Sequence, residues 1–282
     1  MEVIKTIMAL RSKLAKHRLK GNKIGLVPTM GALHNGHLAL VNASKNQCEI
    51  TVVSIFVNPA QFNNAEDLEK YPNTIEKDTA LLKAAGCNFL FLPSVKEIYP
   101  NTHDLSISFG ALENNLEGRF RPGHFQGVGL VVSKLFNICQ PDYAFFGQKD
   151  LQQFFVINKL IDQLSFPIDL KMVETSREEN GLAMSSRNLR LSERDKSEAS
   201  LINQSLSIAK KQLLEGVGIK TVIENAKELF ATNDRFTLEY FEIVETDNFS
   251  SLTQVTNPKK TAICVAAYIG KVRLIDNLFL NY

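Results

Sequence analysis

The chain has 282 residues, of which 44% are hydrophobic and 22% charged, and these proportions are typical of a globular protein with one large domain or two ordinary ones. Its formal net charge of +2 gives no strong electrostatic case for a nucleic-acid or membrane partner, and its longest apolar stretch, residues 263–269, is too short to span a bilayer. The four cysteines are scattered and include no C-x-x-C pair, which disfavours a disulfide framework or a thiolate metal site and predicts a cytoplasmic protein.

The first twenty residues interleave basic with apolar side chains, a pattern that has two explanations. A transit peptide can have this composition. An ordinary first helix that ends at Gly21-Asn22 has it equally well, and we prefer this interpretation. A secretory signal would need a continuous apolar run, and the segment contains none.

Strand and helix patterns alternate from there to about residue 175. Most strand candidates are nearly continuous apolar runs, as in parallel strands that are covered on both faces, and they span residues 24–27, 50–57, 89–92, 143–146 and 168–173. Helical segments between them span residues 38–47, 74–85, 128–138 and 151–164. This alternation predicts an α/β domain over residues 1–176, built on a Rossmann-like, doubly wound parallel sheet.

The pattern changes after about residue 176. Ser192 is the predicted N-cap of a helix that runs to Leu214 and is stopped by Gly216, and a second helix fits residues 219–230. Three strand-like runs follow at residues 238–244, 261–268 and 272–277, with Gly270-Lys271 as a tight turn between the last two. We therefore expect a smaller C-terminal α+β domain over residues 177–282.

A loop with two histidines, His34 and His37, follows the first predicted strand of this sheet and precedes a helix. It reads Pro28-Thr29-Met30-Gly31-Ala32-Leu33-His34-Asn35-Gly36-His37. At such a point backbone N–H groups and the helix dipole attract phosphate, and imidazoles can hydrogen-bond its oxygens. The remaining histidines (His17, His103 and His124) form no cluster with ligand spacing, so we prefer a nucleotide site to a metal site, with two ordinary polar loop residues as the alternative.

A short loop at residues 181–188 carries Ser185, Ser186 and Arg187. Their hydroxyl and guanidinium groups are donors that suit phosphate oxygens. A polar hinge between the two domains would have the same composition. The presence of the histidine loop favours the phosphate interpretation.

The segment 146–153 again follows a predicted strand and opens a helix. Asp150 and Gln153, three residues apart, can form a capping box that needs no ligand. Lys149 is harder to explain by capping, since the helix dipole disfavours a cation at an N-terminus and an anionic ligand would compensate.

Residues 56–62 follow the second strand and include Asn58 and Gln61, whose amides can bind hydroxyl and carboxylate groups of a small substrate or can belong to an ordinary Asn-Pro turn. The glycine-rich, basic segment 117–127 can serve as a mobile flap over an anion. No Walker-type P-loop occurs, and Gly127-Val128-Gly129 lacks both the third glycine and the preceding strand of a dinucleotide motif. ATP would therefore have to be bound through the histidine loop.

Together these segments closely resemble the pantothenate synthetases, or pantoate-β-alanine ligases, over nearly the full length of the chain. The shared motifs are Pro28 to His37, Phe56-Val57-Asn58-Pro59-x-Gln61-Phe62, Tyr71-Pro72, Arg121-Pro122-Gly123-His124-Phe125, Gly147-x-Lys149-Asp150 with Gln153, and residues 181–188. The family belongs to a nucleotidyltransferase superfamily with an H-x-G-H loop and a K-M-S-K-S-like loop, and Met184-Ser185-Ser186-Arg187 resembles the second of these.

The resemblance implies an ATP-dependent ligase. ATP, (R)-pantoate and β-alanine would give pantothenate, AMP and pyrophosphate through a pantoyl adenylate, with Mg²⁺ carried by the ATP phosphates. It also implies a homodimer, and a smaller C-terminal domain that closes over the active site.

The resemblance further implies the roles of individual residues. The charge on the α-phosphate and on pyrophosphate would be stabilised by His34, His37, Lys149, Ser185, Ser186 and Arg187. His37 would be the family's proposed proton donor. The ATP site would be lined by Met30, Gly31, Ala32, Leu33, His34, Asn35, Gly36, His37, Gly147, Gln148, Lys149, Asp150, Ser176, Met184, Ser185, Ser186 and Arg187. Pantoate or β-alanine would contact Gln61 and Gln153, with Asn58 and Met30 nearby. The segment around Arg121 would keep water away from the adenylate.

Two positions depart from the family pattern. Ser176 occupies a position whose backbone usually meets adenine, in a stretch where relatives carry a proline and a branched apolar residue. Some relatives have an acidic cluster after the Tyr-Pro motif that can bind magnesium. The corresponding Glu76-Lys77-Asp78 includes a lysine, so we expect no metal ligand there.

Three other functions compete with this one. A plain adenylyltransferase would transfer AMP to a phosphate, but Gln61 and Gln153 suit a hydroxyl-bearing acid better. A tRNA synthetase would need an anticodon-binding module and more positive charge. A non-catalytic nucleotide-binding protein on the same fold stays an alternative, against which the full donor set argues.

Overall fold

The structure is a computed structural model, and it describes residues 1–63, 65–101 and 105–281 of the chain. The chain divides into two compact units. The first consists of Met1–Gly147 with Gln153–Glu174, and the second consists of Gln148–Gln152 with the chain from Thr175 to its C-terminal end. No helix within the described ranges is long and apolar enough to cross a membrane.

The first unit contains a six-stranded sheet in which every neighbouring pair of strands is parallel. Its strands are β1 (Glu2–Ile4), β2 (Ile24–Thr29), β3 (Ile50–Ile55), β4 (Phe89–Phe91), β5 (Tyr143–Gly147) and β6 (Asp169–Val173). Their order across the sheet is β1-β4-β3-β2-β5-β6. From β2 the chain builds one side of the sheet with β3 and β4, and then the other with β5 and β6, which confirms the predicted Rossmann-like, doubly wound α/β fold.

The edge strand β1 is absent from the sequence-based prediction. It pairs in parallel with β4, with Ile4 opposite Phe91, and the first helix begins only at Ile7. The strand has only three residues, of which one is buried, and this is too short for a hydrophobic periodicity to be recognised in the sequence. The predicted first helix is confirmed, although it ends at Arg18 and not at Gly21.

The helices of the first unit begin earlier than predicted in two places. They are α1 (Ile7–Arg18), α2 (Asn35–Gln47), α3 (Ala65–Glu69), α4 (Ile75–Ala84), α5 (Val95–Ile98), α6 (Leu116–Phe120), α7 (His124–Cys139) and α8 (Leu151–Gln163), of which the first two residues of α8 group with the second unit. The polar residues of the histidine loop form the first turn of α2, and α7 includes two glycines in its first turns. Apolar periodicity begins only after these residues, so it misses both starts.

The two glycines of α7 are there because of packing. A Cβ at Gly127 would lie 2.2 Å from the carbonyl oxygen of Ala60, and one at Gly129 would lie 2.6 Å from the ring of Phe109. The weak helix propensity of glycine is therefore offset by close contact between α7 and its neighbours. Gly127 and Gly129 thus allow α7 to pack closely against the loop at Ala60 and against Phe109.

Another glycine brings α2 close to β2. A Cβ at Gly25 would stand 2.2 Å from Oγ of Ser44 and 2.9 Å from Sγ of Cys48, both in or next to α2. The buried hydroxyl of Ser44 shares a 2.8 Å hydrogen bond with that of Thr51 on β3. Helix α2 is thereby held against β2 and β3, with its N-terminal turn next to the end of β2.

The second unit is an α+β structure, as predicted. Its strands β7 (Phe236–Glu245), β8 (Thr261–Ile269) and β9 (Val272–Phe279) form an antiparallel sheet in that order. Its helices are α9 (Glu193–Glu198), α10 (Ser200–Leu214) and α11 (Ile219–Ala231). A single apolar core joins the helices to the sheet and includes Leu206, Val222, Phe241 and Ile263.

The predicted helix start at Ser192 is confirmed. Its hydroxyl accepts the N–H of Asp195, whose carboxylate accepts the N–H of Ser192 in return. The single helix predicted to run to Leu214 is divided at Ala199 into α9 and α10. Gly270, with a φ of +55°, lies in the predicted turn between β8 and β9.

Candidate active site

The predicted site residues of the first unit lie at the carboxyl ends of three strands. Strand β2 pairs with β3 on one side and with β5 on the other, so the strand order reverses at β2. Such a switch point opens a crevice that binds ligands in open α/β sheets. The histidine loop follows β2, the segment Asn58–Gln61 follows β3, and Gly147 ends β5.

The two histidines form the first turn of α2. His34 is the N-cap, and its ring Nδ1 accepts the backbone N–H of Gly36 over 3.2 Å. The Nδ1 of His37 accepts the backbone N–H of His34 over 3.3 Å. This is the reciprocal arrangement of a capping box, with imidazoles where Ser or Thr and Glu or Gln usually stand. The three-residue spacing of the histidines is therefore the spacing that capping requires.

Capping also determines which ring nitrogen carries the proton. A backbone N–H can only donate, so Nδ1 of each ring is an acceptor and the proton of each neutral imidazole lies on Nε2. The two ring centroids are 4.1 Å apart, with the ring planes inclined at 46°. The two Nε2–H groups thus belong to a helix N-terminus, where the helix dipole favours negative charge.

The loop before the histidines is held by a buried carboxylate. The backbone takes left-handed φ values of +86° at Gly31 and +51° at Ala32. Asp78 of α4 is 1% exposed and accepts the N–H of Ala32 over 2.9 Å and that of Leu33 over 2.8 Å. The hydroxyl of Thr74 donates to the same carboxylate over 3.1 Å. Asp78 therefore fixes the backbone that leads into the capping turn.

Sequence reasoning missed this role of Asp78, because it weighed the residue only as a metal ligand. The two N–H groups that it binds lie 46 and 45 residues away, so no local pattern links them to it. The one available signal is helical periodicity, since Asp78 and Leu82, one turn apart, are the buried residues of α4. An acid on the buried face of a helix must find a partner, because an unpaired buried charge is very costly.

Gln61 is oriented by its neighbour Asn58, which is 1% exposed. The amide of Asn58 donates to Oε1 of Gln61 over 3.0 Å and to the carbonyl oxygen of Gly127 over 3.1 Å. Its Oδ1 accepts the hydroxyl of Tyr99 over 2.8 Å. With Oε1 engaged, the Nε2 donor of Gln61 lies 3.3 Å from the sulfur of Met30, a weak acceptor that a substrate oxygen can replace.

The basic segment 117–127 forms α6 and the start of α7. Glu117 is buried, with its carboxylate 3.9 Å from the guanidinium of Arg121. His124 is also buried, and its Nδ1 lies 2.8 Å from the carbonyl oxygen of Gln61. The segment thus supports the Gln61 loop, and its role as a flap over an anion stays a prediction.

The serine loop belongs to the second unit. It follows a small hairpin that closes where the N–H of Met184 donates to the carbonyl oxygen of Ser176 over 2.9 Å. Ser185 then caps a 3₁₀ turn, Ser186–Arg190, by accepting the N–H of Arg187 over 3.3 Å. A hydroxyl that accepts still has its own proton to donate, so Ser185 can both cap this turn and bind an anion.

Lys149 lies in a second 3₁₀ turn, Gln148–Asp150, between β5 and α8. Its side chain is 17% exposed, and its Nζ is 3.6 Å from Oδ1 of Asp150. Gln153, in the first turn of α8, is half-buried, and its capping box with Asp150 stays a prediction. The second unit therefore holds an ammonium group as well as the hydroxyl and guanidinium donors of the serine loop.

The predicted site residues thus fall into two sets. The first unit holds Met30 to His37, Asn58, Gln61, Gly147 and Gln153, and the second holds Gln148, Lys149, Asp150, Ser176, Met184, Ser185, Ser186 and Arg187. Within the parts of the chain that the structure describes, no group of three or more His, Cys, Asp or Glu side chains is arranged to hold a metal ion. His103 lies outside the described residues.

Comparisons of sequence agree on one family. A family model described as pantoate-beta-alanine ligase matches residues 2–279. The pantothenate synthetase of Cytophaga hutchinsonii is 46% identical over 278 residues, which cover 98% of each chain. The pantothenate synthetase of Bacteroides fragilis is 42% identical over 278 residues, which cover 99% of this chain and 98% of that protein.

Solved structures give the same result. The crystal structure of pantothenate synthetase from Thermus thermophilus matches with a TM-score of 0.93 at 37% identity, over 100% of both chains. The pantoate-beta-alanine ligase from Francisella tularensis, whose crystal structure is complexed with beta-gamma ATP and beta-alanine, matches with a TM-score of 0.78 at 34% identity. That match covers 99% of this chain and 98% of the other.

Asp78→Asn should lower the free energy of unfolding by about 1–3 kcal/mol, because the new amide nitrogen cannot accept and leaves a buried backbone N–H unpaired. The amide hydrogens of Ala32 and Leu33 should also exchange faster with solvent. Urea denaturation measures the first effect, and site-resolved hydrogen exchange measures the second.

Asp142→Asn is the matched control for this variant. Asp142 accepts the N–H of Ile24 and the ammonium group of Lys23 where β2 and β5 begin, away from the histidine loop. The Asp142→Asn variant should lower the free energy of unfolding, but it should not make the amide hydrogens of Ala32 and Leu33 exchange faster than those of other residues. Unchanged exchange of these two amides in Asp78→Asn would contradict the role given to Asp78.

Proposed function

The chain belongs to the pantoate-β-alanine ligase family, and we propose which of its groups carry the reaction of that family. The enzyme condenses (R)-pantoate with β-alanine to (R)-pantothenate and converts ATP to AMP and diphosphate. The carboxylate of pantoate attacks the α-phosphorus of ATP and diphosphate leaves, which gives pantoyl adenylate. The amine of β-alanine then attacks the acyl carbon of the adenylate, and AMP leaves.

The observation that carries the proposal is the pair of Nε2–H donors at the start of α2. During adenylation, negative charge builds on the α-phosphate and on the departing diphosphate. Fixed donors aimed at that charge are each worth on the order of a hundredfold in rate, by analogy with oxyanion-hole donors. We assign this task to His34 and His37. His37, in the place of the family's proton donor, acts as a neutral hydrogen-bond donor while its Nδ1 caps the helix.

The second unit supplies further donors to the ATP phosphates in this proposal. Lys149 acts as a point charge, Ser185 and Ser186 donate through their hydroxyls, and Arg187 offers a planar fork that suits phosphate oxygens. The other ATP-binding residues are Met30, Gly31, Ala32, Leu33, Asn35, Gly36, Gly147, Gln148, Asp150, Ser176 and Met184. Mg²⁺ enters with ATP, bound through its phosphates.

Pantoate binds through the two glutamines in this proposal. The engaged Oε1 of Gln61 leaves its Nε2 as a donor for a carboxylate or hydroxyl oxygen of the substrate. Gln153 makes the second contact. Asn58 acts indirectly, because its amide is used to orient Gln61, and Met30 lies beside the same donor.

We also propose a cytoplasmic homodimer, in which residues 1–176 bind ATP and pantoate and residues 177–282 form the smaller, closing domain. The state of the cysteine thiols supports the proposed cytoplasmic location. All four cysteines are buried thiols outside any disulfide, and burial raises the pKa of Cys87 to about 11. Free, unreactive thiols are typical of proteins in a reducing environment.

Exchange of labelled pyrophosphate into ATP tests the first half-reaction. The purified protein should catalyse this exchange when pantoate is present and β-alanine is absent, because the adenylate forms reversibly. Addition of β-alanine should then release AMP in a coupled assay. Pyrophosphate exchange at the same rate with and without pantoate, or transfer of AMP to a phosphate acceptor, would instead indicate a plain adenylyltransferase.

His37→Asn should lower pantoate-dependent exchange by on the order of a hundredfold or more, because the shorter amide can still accept the N–H of His34 but has no group at the position of Nε2. His37→Gln, whose own Nε2 can reach that position, should retain more activity. Initial rates and circular dichroism measure activity and folding.

His17→Ala is the control for these variants, because it removes a half-buried imidazole of the same unit that is bonded to Asn22. It should keep full exchange activity. Near-normal turnover of His37→Asn would show that the assigned role is wrong.

Gly147→Ala should raise the KM for ATP by on the order of tenfold without lowering the free energy of unfolding, because Ala at a compatible φ only restricts the unfolded chain. The φ of Gly147 is not left-handed, and an added Cβ would meet no protein atom within 4 Å, so the fold itself does not require glycine there. Initial rates against ATP concentration and urea denaturation test this. Gly218→Ala, at an equally open position at the N-cap of α11, should leave the KM for ATP unchanged, while the loss of a favoured N-cap residue changes only its stability. Equal KM values for Gly147→Ala and the wild type would remove Gly147 from the ATP site.

A further inference from the structure

Two adjacent polar residues of β9, Asp276 and Asn277, are each 3% exposed. Alternation along the strand puts Asp276 in the same row as Val272 and Leu274, which belong to the apolar core of the second unit. Asn277 lies in the opposite row. Buried polar side chains are costly unless their hydrogen bonds are made inside the protein, so the partners of these two residues show what they do.

The amide of Asn277 binds the turn that carries Lys149. Its Nδ2 donates to the carbonyl oxygen of Gln148 over 3.0 Å and to that of Lys149 over 2.9 Å. Its Oδ1 accepts the side-chain amide of Gln148 over 3.4 Å. The two carbonyls belong to the peptide planes on either side of the Lys149 Cα. One side chain therefore fixes both planes, and with them the direction in which the lysine leaves the backbone.

The carboxylate of Asp276 binds the hairpin that leads into the serine loop. Both guanidinium NH groups of Arg177 donate to it, over 2.6 and 3.1 Å. Arg177 also donates to the carbonyl oxygen of Gly181, across the hairpin. Arg177 pairs with Ala183 at the base of the hairpin, two residues before Ser185. A bidentate pair of this kind fixes orientation as well as distance.

We propose that Asp276 and Asn277 are positioning residues that hold the Lys149 turn and the serine loop to one rigid strand. Neighbouring residues of a strand are about 3.3 Å apart along its axis. The Lys149 turn and the serine loop are therefore both anchored to the same short stretch of β9. This inference rests on the proposed function, because it concerns donors that act on the ATP phosphates. It predicts that Asn277 acts on turnover through Lys149 and has no part in binding pantoate.

Asn277→Ala should lower kcat by on the order of tenfold or more, since small misplacement of a catalytic group is costly, and should leave the KM for pantoate unchanged. Asn277→Asp keeps the size of the side chain but cannot donate to the two carbonyls, so it should have the same effect. Steady-state kinetics below the unfolding transition of each variant measure both constants.

A double-variant comparison separates positioning from general destabilisation. If Asn277 acts through Lys149, Asn277→Ala should lower kcat far less in a Lys149→Ala background than in the wild type. Lys210→Met is the matched control, because Lys210 donates to the carbonyl oxygen of Phe279 on the same strand over 3.0 Å and binds neither loop. It should change stability but not kcat.

The outcomes distinguish this inference from the proposed function. A wild-type protein without pantoate-dependent exchange would overturn both. An active wild type with full kcat in Asn277→Ala, or an equal loss of kcat with and without Lys149, would overturn the positioning role alone. Loss of kcat in Lys210→Met equal to that in Asn277→Ala would also overturn it, because any damage to β9 would then suffice.

Discussion

The first turn of α2 is capped by its own side chains. A helix N-terminus exposes N–H groups that have no partner within the helix. In this turn Nδ1 of His34 and Nδ1 of His37 each accept a backbone N–H, so Nε2–H lies on the other side of each ring. In the proposed site these Nε2–H groups donate to the ATP phosphates. A carboxylate cap would satisfy the helix equally well but would repel a phosphate. Asp78 behind the loop and Gly25 beneath the helix keep this turn in place.

Much of the fold could be predicted because its central strands are covered on both faces. β2 and β3 are nearly continuous apolar runs, and their predicted ranges agree with the structure to within two residues. β1 could not be found, because three residues show no period and their place in the sheet depends on pairing with β4, far along the chain. The first residues of α2 and α7 could not be predicted for a different reason. Their first turns consist of capping residues and glycines, which lack the apolar spacing of a helix.

The residues of the candidate site also divide into those that could be predicted from the sequence and those that could not. Residues in the loops that follow a strand, such as His34 and Gln61, could be predicted as site candidates because parallel topology brings such loops to one edge. Their supporting residues could not, because Asp78 and Asn277 act on backbone groups that lie 46 and 129 positions away. Asn58 is an intermediate case, since its motif was identified but its internal hydrogen bonds to Gln61 depend on the folded loop. Local sequence therefore predicts candidate donors, and long-range contacts determine how these side chains are held.

The segment Gln148–Gln152 groups with the second unit although the chain on both sides of it groups with the first. Neither unit is one uninterrupted stretch of polypeptide. A chimera made from two relatives with a single crossover near residue 175 would combine one parent's Asn277 with the other parent's Gln148–Asp150 turn. A graft that respects the folding units has to carry this short internal segment along with the C-terminal part.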